Sequence, residues 1–306
     1  MKKSKKYSGI DSLPEGRASG DITEGCIVLE GGAFRGVYTS GVLDALMEEN
    51  INFRCTVGVS AGSLNAVNYI TGQIGRSARI NLRYRHDSRY VGRKAIIRNQ
   101  GVIGFDFIFG RMPFVPDLDK KALRNPERQL YAVVTNLSTG RPEYIEKSSG
   151  EDFFKVMMAS SSMPFVSKPI EIGSHLYLDG GCSCKIPYEW PLTQNFENII
   201  IVRTRPRSYR KIVKPEQKFN PEQFVYRGYP AFAASLMASN ANYNHQCVDL
   251  LKLERQKRIF MIAPSQSIDI SRLEGNMEKL GSLYYLGYHD TKHSIVRLRE
   301  YLNRNH

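Results

Sequence analysis

The chain has 306 residues, 42% of them hydrophobic and 24% charged, long enough to close a sizeable core as one large domain. Lys and Arg number 43 against 30 Asp and Glu, giving +13 with neutral histidines, a field that attracts anionic surfaces without choosing between lipid headgroups and nucleic acid. Nothing approaches the run of roughly 20 apolar residues that a membrane-spanning helix needs, and the basic start MKKSKKYSGI leads into no apolar segment of a secretion signal.

Residues 1–24 are polar, charged and rich in Gly and Ser, which predicts a tail that packs little, with the fold beginning at Cys26. A short apolar run at 26–29, a glycine loop at 31–36, and Val37, Tyr38, Gly41, Val42, Ala45 and Leu46 on one helical face spell strand, loop, helix. A second apolar run at 56–59 is followed at once by Ser60-Ala61-Gly62 and a helical pattern through Leu64, Ala66, Val67 and Ile70. This β-α-β-α unit predicts a parallel pair with a right-handed crossover.

Further strand-like runs lie at 130–135, 176–178, 199–202 and 259–262, with helical patterns at 152–159, 231–253 and 283–302. A turn at 135–140 between two apolar runs makes part of the sheet antiparallel. Together they predict an α/β fold, a three-layer α/β/α arrangement with a mostly parallel central sheet. Beyond the tail, residues 25–306 read as one domain, with the motifs within 25–205 and a helical part at 221–306.

Cys26, Cys55, Cys182, Cys184 and Cys247 form no framework of spacings, which suits reduced thiols in a cytosolic compartment. Cys182 and Cys184 have no second pair at ligand spacing, so no metal is assigned.

Gly58-Val59-Ser60-Ala61-Gly62 is a Gly-x-Ser-x-Gly turn between strand and helix, the setting in which a serine hydroxyl stands clear of its backbone as a nucleophile. A serine there also serves as an ordinary helix cap, and the pentapeptide alone leaves the two readings even. Gly31-Gly32-Ala33-Phe34-Arg35-Gly36, one crossover unit earlier, shifts the balance. Its amides would lie at the same carboxyl edge of the sheet and could hold an oxyanion. A dinucleotide loop is disfavoured because Ala33 breaks the Gly-x-Gly-x-x-Gly spacing. Asp179, ending the run 176–178 and followed by Gly180-Gly181, would emerge at that carboxyl edge too.

These three motifs in this order resemble the patatin-like phospholipase family, and Ala159-Ser160-Ser161-Ser162-Met163-Pro164-Phe165 is similar to the helix end and proline turn before its aspartate motif. The resemblance covers roughly residues 25–205. It implies Ser60 as nucleophile and Asp179 as general base in a dyad without histidine. It implies an oxyanion hole from the amides of Gly31, Gly32 and Ala33, with Arg35 at the basic position of the loop that Gly36 closes. The implied activity is acyl-enzyme hydrolysis of phospholipids or other acyl-ester lipids, with no cofactor. Ala33 departs from the family's usual third glycine, and its Cβ disfavours positive φ.

Two rivals remain on the residues. An α/β-hydrolase triad would draw its base from His245, His289 or His293, and a non-catalytic module would use the charge for nucleic acid, though no zinc-finger spacing or RNA-recognition signature supports it. Residues 76–98 carry Arg76, Arg79, Arg83, Arg85, Arg89, Arg93, Lys94 and Arg98 against Asp87 alone, before the aromatic run 102–109. That pairing suits either docking on an anionic membrane surface or a solvated basic helix before a core segment. A second cluster, Arg203, Arg205, Arg207, Arg210, Lys211, Lys214 and Lys218, follows a strand and would line the same edge as Ser60.

Overall fold

The computed structural model of the protein describes residues 5–99, 101–213 and 220–304. A short strand β1 (Gly16–Arg17) precedes β2 (Thr23–Leu29), α1 (Gly36–Glu48), β3 (Phe53–Val59) and α2 (Ala61–Ile70). Next come β4 (Gln73–Ile74), α3 (Arg76–Tyr84), α4 (Arg93–Asn99), α5 (Phe105–Phe109) and α6 (Lys120–Leu123). The hairpin of β5 (Gln129–Asn136) and β6 (Pro142–Glu146) leads to α7 (Phe153–Ser160), β7 (Ile170–Ile172), β8 (His175–Asp179), α8 (Glu189–Thr193) and β9 (Ile199–Val202). The last described elements are α9 (Pro221–Val225), α10 (Pro230–Arg255), β10 (Phe260–Ile262) and α11 (Met277–Leu302).

Strands β10, β9, β2, β3 and β5 run parallel in that order. Residues alternate along a strand between two apolar layers. Ile27 and Leu29 join Val37, Val42 and Tyr284 on one face, while Cys26 and Val28 join Tyr243, Cys247 and Leu250 on the other. Both faces are therefore covered, which is why β2 and β9 read as continuous apolar runs. The result is the predicted three-layer α/β/α architecture. Among the described residues no helix is long and apolar enough to cross a membrane.

Three expectations change. Residues 5–24 are not a loose tail: Ile10 and Leu13 are buried in the core, β1 pairs with β4, and Arg79 donates to the carbonyls of Leu13 and Pro14. Two apolar side chains in a polar stretch are enough to anchor it once a buried guanidinium takes its free carbonyls. The basic segment 76–98 fits neither of its readings throughout. Arg76 and Arg79 are buried, Arg76 donating to Pro116 O, Ile108 O and Asn68 Oδ1, while Phe105 and Ile108 are buried too. The run 102–109 thus packs inward, because inward-facing arginines satisfy the carbonyls of the irregular chain beside it. Lys214 and Lys218 lie outside the described residues.

The third change concerns β8. It runs antiparallel to β5, so Asp179 does not reach the site as the carboxyl end of a parallel strand. Strand β6 occupies one edge of β5 from Tyr131 to Thr135. On the other edge β3 pairs as far as Val59↔Val133, and β8 takes over at Asp179↔Val134. The two strands meet end to end.

Helix α11 packs along α1, the helix that follows the glycine loop. A Cβ on Gly41 would stand 2.0 Å from Tyr284 O, and one on Gly287 2.1 Å from Tyr38 O, so the backbones touch where side chains are missing. Tyr284 Oη donates to Asp44 Oδ2 and Gly75 N to Asp44 Oδ1, both at 2.9 Å. Burial pushes Asp44 up to about 7 against the pull of those two donors.

Two outcomes follow from this contact. Gly41→Val should lower the unfolding free energy by about 3 kcal/mol, read from urea titration, because backbone rather than a flexible side chain blocks the new methyl groups. A carboxyl whose folded pKa is raised binds its proton more tightly in the native state. Its contribution is therefore complete below the unfolded value and declines as pH rises from about 4 towards about 7. Stability of the wild type relative to Asp44→Asn should fall across that interval and then level off.

Candidate active site

Ser60 bridges β3 and α2 with φ +56° and ψ −123°, a left-handed conformation that costs an L-residue on the order of 1–3 kcal/mol. Several contacts hold it there. Ser60 N donates to Ser160 Oγ at 3.1 Å, and Ser160 Oγ donates in turn to Val133 O at 2.7 Å. Ser63 Oγ donates to Ser60 O at 2.6 Å. At Gly62 a Cβ would fall 2.4 Å from Leu29 O, so the start of α2 lies directly on β2. Although Ser60 occupies the N-cap position, its side chain makes no capping bond. The hydroxyl donates instead to Asp179 Oδ2 at 2.7 Å.

Asp179 is only 7% exposed and is held on several sides. Its Oδ1 accepts from Gly181 N at 2.7 Å, its amide donates to Ser162 O at 2.9 Å, and its carbonyl accepts from Thr135 Oγ1 at 2.9 Å. Burial raises its pKa above the ordinary carboxylate value, opposed by the Ser60 hydroxyl, the Gly181 amide, Lys185 and Arg272. Among the described residues no histidine bonds to Ser60 or Asp179. His245, His289 and His293 are exposed on α10 and α11, and the His289 ring stacks on Tyr285.

The glycine loop joins Ser60 at the same edge, as the parallel pairing Leu29↔Gly58 requires. Gly31 lies so close that a Cβ would stand 3.2 Å from Ser60 Cβ. Its amide points to Lys185 O at 3.5 Å and its carbonyl accepts from Thr204 Oγ1 at 3.1 Å. The amides of Gly32 and Ala33 meet no acceptor among the described residues. Ala33 adopts φ +50°, so the conformation its Cβ disfavours is the one the loop imposes. The Gly36 carbonyl accepts from Asn65 Nδ2 at 2.8 Å, tying the loop's end to α2. Arg35 is partly buried, and its Nε has no acceptor. Burial, then the charge of Arg205, draws its pKa down to about 10.

The family model described as patatin-like phospholipase matches residues 27–189. The chain belongs to the patatin-like phospholipase family. A second model, for a domain of unknown function (DUF6363), matches residues 229–303. Among curated proteins, the chain is similar to the uncharacterized protein YjjU of Escherichia coli K12, 28% identical over 186 residues. That match takes in 59% of this chain and 52% of YjjU, so the chain spans about half the length of the curated relative. Among solved structures it is similar to VipD from Legionella pneumophila, at 14% identity and a TM-score of 0.48, covering 93% of this chain and 70% of that one.

Ser60 also lines a cavity that opens to solvent. Phe34, Leu64, Val67, Ile80, Ile108 and Phe109 supply much of its apolar wall. The inward packing of 102–109 thus closes one side of this cavity beside Ser60. Arg76 tethers that side through the carbonyls of Ile108 and Pro116.

The structure brings together Ser60, Asp179 and the loop 31–36. It leaves the Gly31 amide turned towards Lys185, and Gly58, Gly62, Gly180 and Gly181 serve as points of close approach around the turns. Sequence reasoning passed over Ser160, Thr135 and Lys185. Ser160 lay inside a recognised segment, but its role depends on Val133, which only sheet pairing brings near. Ser160→Ala leaves the amide of Ser60 and the carbonyl of Val133 without their partner, and should lower the unfolding free energy by about 1–3 kcal/mol in urea titration.

Proposed function

We propose that this protein hydrolyses carboxylic esters of lipids through a Ser60–Asp179 dyad and an acyl-enzyme. The observation that carries the reading is the 2.7 Å hydrogen bond from Ser60 Oγ to Asp179 Oδ2, made by a serine at a strained strand-to-helix turn and a buried carboxylate with no basic side chain interposed. Family membership points to acyl lipids as the substrate class, and the apolar cavity beside Ser60 supports an acyl chain as the group bound. The net charge of +13 favours a phospholipid or lysophospholipid on an anionic surface over a neutral ester. The same reading takes residues 25–306 as one acyl hydrolase domain, since β10 extends the sheet and α11 covers α1.

In the forward step Ser60 Oγ attacks the ester carbonyl while its proton passes to Asp179 Oδ2. The carbonyl oxygen becomes an oxyanion, for which the uncommitted amides of Gly32 and Ala33 are the available donors. Collapse of the tetrahedral intermediate expels the alcohol, which takes the proton held by Asp179, and leaves Ser60 acylated. Water then attacks the acyl-enzyme, giving its proton to Asp179, and the fatty acid departs as Ser60 regains a proton. A carboxylate with a pKa near 4 is a weak base at neutral pH. The desolvation that raises Asp179 narrows that gap, and the preformed hydrogen bond spares the reorientation.

A fluorophosphonate probe tests the assignment. The wild type should be labelled at neutral pH, Ser60→Ala should not, and Asp179→Asn should react at least about 100-fold more slowly; labelling that persists in Ser60→Ala would refute the nucleophile. Single His245→Ala, His289→Ala and His293→Ala variants should keep the wild-type rate, as a triad could not. The labelling rate should fall on acidification through a pKa above the ordinary aspartate range, because only the ionised Asp179 accepts the serine proton.

A further inference from the structure

A second cavity opens at the opposite end of the sheet from Ser60. Strand β5 pairs Gln129 with Cys55 at its start and Val133 with Val59 further along, so Arg128, the residue before β5, stands at the amino edge while Ser60 stands at the carboxyl edge. The cavity lies between the segment 17–22, the end of α2 and the chain that joins α6 to β5, and Arg17, Ser19, Gly20, Asn125 and Arg128 supply much of its polar lining. Its outer wall exists because the segment is pinned to α2: Ala18 N donates to Gly72 O at 2.9 Å, and Arg17 Nη1 to Thr71 O at 3.1 Å.

Arg128 is only 7% exposed, yet its guanidinium is hardly used. Nη2 donates to Tyr69 O at 3.4 Å, the guanidinium carbon lies 5.0 Å from the centre of the Tyr69 ring, and Nε is buried without an acceptor. Burial draws its pKa below the ordinary guanidinium value, opposed by Tyr69. Among the described residues no carboxylate forms an ion pair with Arg128, and its chain neighbour Glu127 is exposed. Asp119, which Arg17 reaches, is already spent: its Oδ2 meets Arg17 Nη2 at 2.8 Å and its Oδ1 accepts from Ala122 N at 2.8 Å. The charge of Arg17 is therefore answered and that of Arg128 is not. One long bond to a carbonyl does not offset the removal of a guanidinium from water, whereas an oxyanion on its planar fork does. Asn125 adds a second donor to the lining. Its Oδ1 accepts from Glu127 N at 3.0 Å and its carbonyl from Lys147 Nζ at 2.7 Å, while its Nδ2 meets no acceptor among the described residues.

We propose that this cavity is a binding site for a small hydrophilic carboxylic acid, its carboxylate on the guanidinium of Arg128 and Asn125 Nδ2 as the second donor. The single unanswered charge matches the single charge of a carboxylate, where a phosphate dianion would be in excess. The polar lining disfavours an alkyl chain, so the ligand differs in kind from an acyl lipid, and the site stands whether or not Ser60 is a nucleophile. The segment 17–22, which supplies one wall, thereby gains a role beyond anchoring the amino-terminal residues.

Glycolate, titrated into the full chain against sodium chloride of equal ionic strength, tests the site. The Nε–H resonance of Arg128, identified by its loss in Arg128→Met, should shift saturably at millimolar glycolate. The Tm of the wild type should rise by about 2 °C or more at saturation. Arg128→Met should lose the thermal response while melting no lower than the wild type in glycolate-free buffer, since an apolar side chain of similar length replaces a charge without a counter-ion. No response in the wild type, or an equal one in Arg128→Met, overturns the site. If Arg128→Met melts lower or does not fold, Asn125→Asp decides: a built-in carboxylate should raise the Tm of the glycolate-free protein and abolish the response, and a response that survives overturns the site. Phosphate that binds more tightly than glycolate, or octanoate that binds as well, overturns the ligand class.

Discussion

Two strands of opposite direction share one edge of β5, and the site depends on where they stop. β3 pairs as far as Val59↔Val133 and β8 ends at Asp179↔Val134, so the residue after one strand and the last residue of the other are brought together by the ladder itself. The hydrogen bond between Ser60 and Asp179 needs no long side chain and no mobile loop. A serine and an aspartate, both short, can meet only if the backbones carrying them are fixed, and a sheet interior fixes them more firmly than surface loops do. Ser160 reinforces the junction by linking the Ser60 amide to Val133 O.

The polarity of the site follows from its depth. Asp179 is buried, so desolvation raises its pKa, yet two donors and two nearby cations restrain the rise. The carboxylate is oriented by hydrogen bonds to both of its oxygens. The glycine loop carries two amides, of Gly32 and Ala33, that meet no acceptor among the described residues. Strain is visible at Ala33 and Ser60, both at positive φ, and Ser60 is held there by Ser160 and Ser63.

The C-terminal region is part of this construction. β10 extends the parallel sheet beyond β9, and α11 lies against α1 through backbone contacts at Gly41 and Gly287. Because α1 begins where the glycine loop ends, α11 buttresses the loop from behind. The chain between β10 and α11 reaches the loop directly, through Arg272 O and Leu273.

Much of this was legible in the sequence. The continuous apolar runs 26–29 and 199–202 declared strands covered on both faces, and the two glycine turns, each between a strand and a helix, marked the carboxyl edge where Ser60 stands. Local pattern suffices there because strand, turn and helix are set by neighbours in the chain. Other features were beyond its reach. Whether Asp179 lay beside Ser60, a contact across 119 positions, could not be set by local pattern. Sequence reasoning brought Asp179 to the right place by the wrong route, since the direction of β8 depends on its pairing with β5 and β7. The anchoring of 5–24 and the inward turn of Arg76 and Arg79 also escaped it. A polar or basic residue becomes a core residue only when distant carbonyls arrive to accept its hydrogen bonds, and that is decided by the tertiary structure alone.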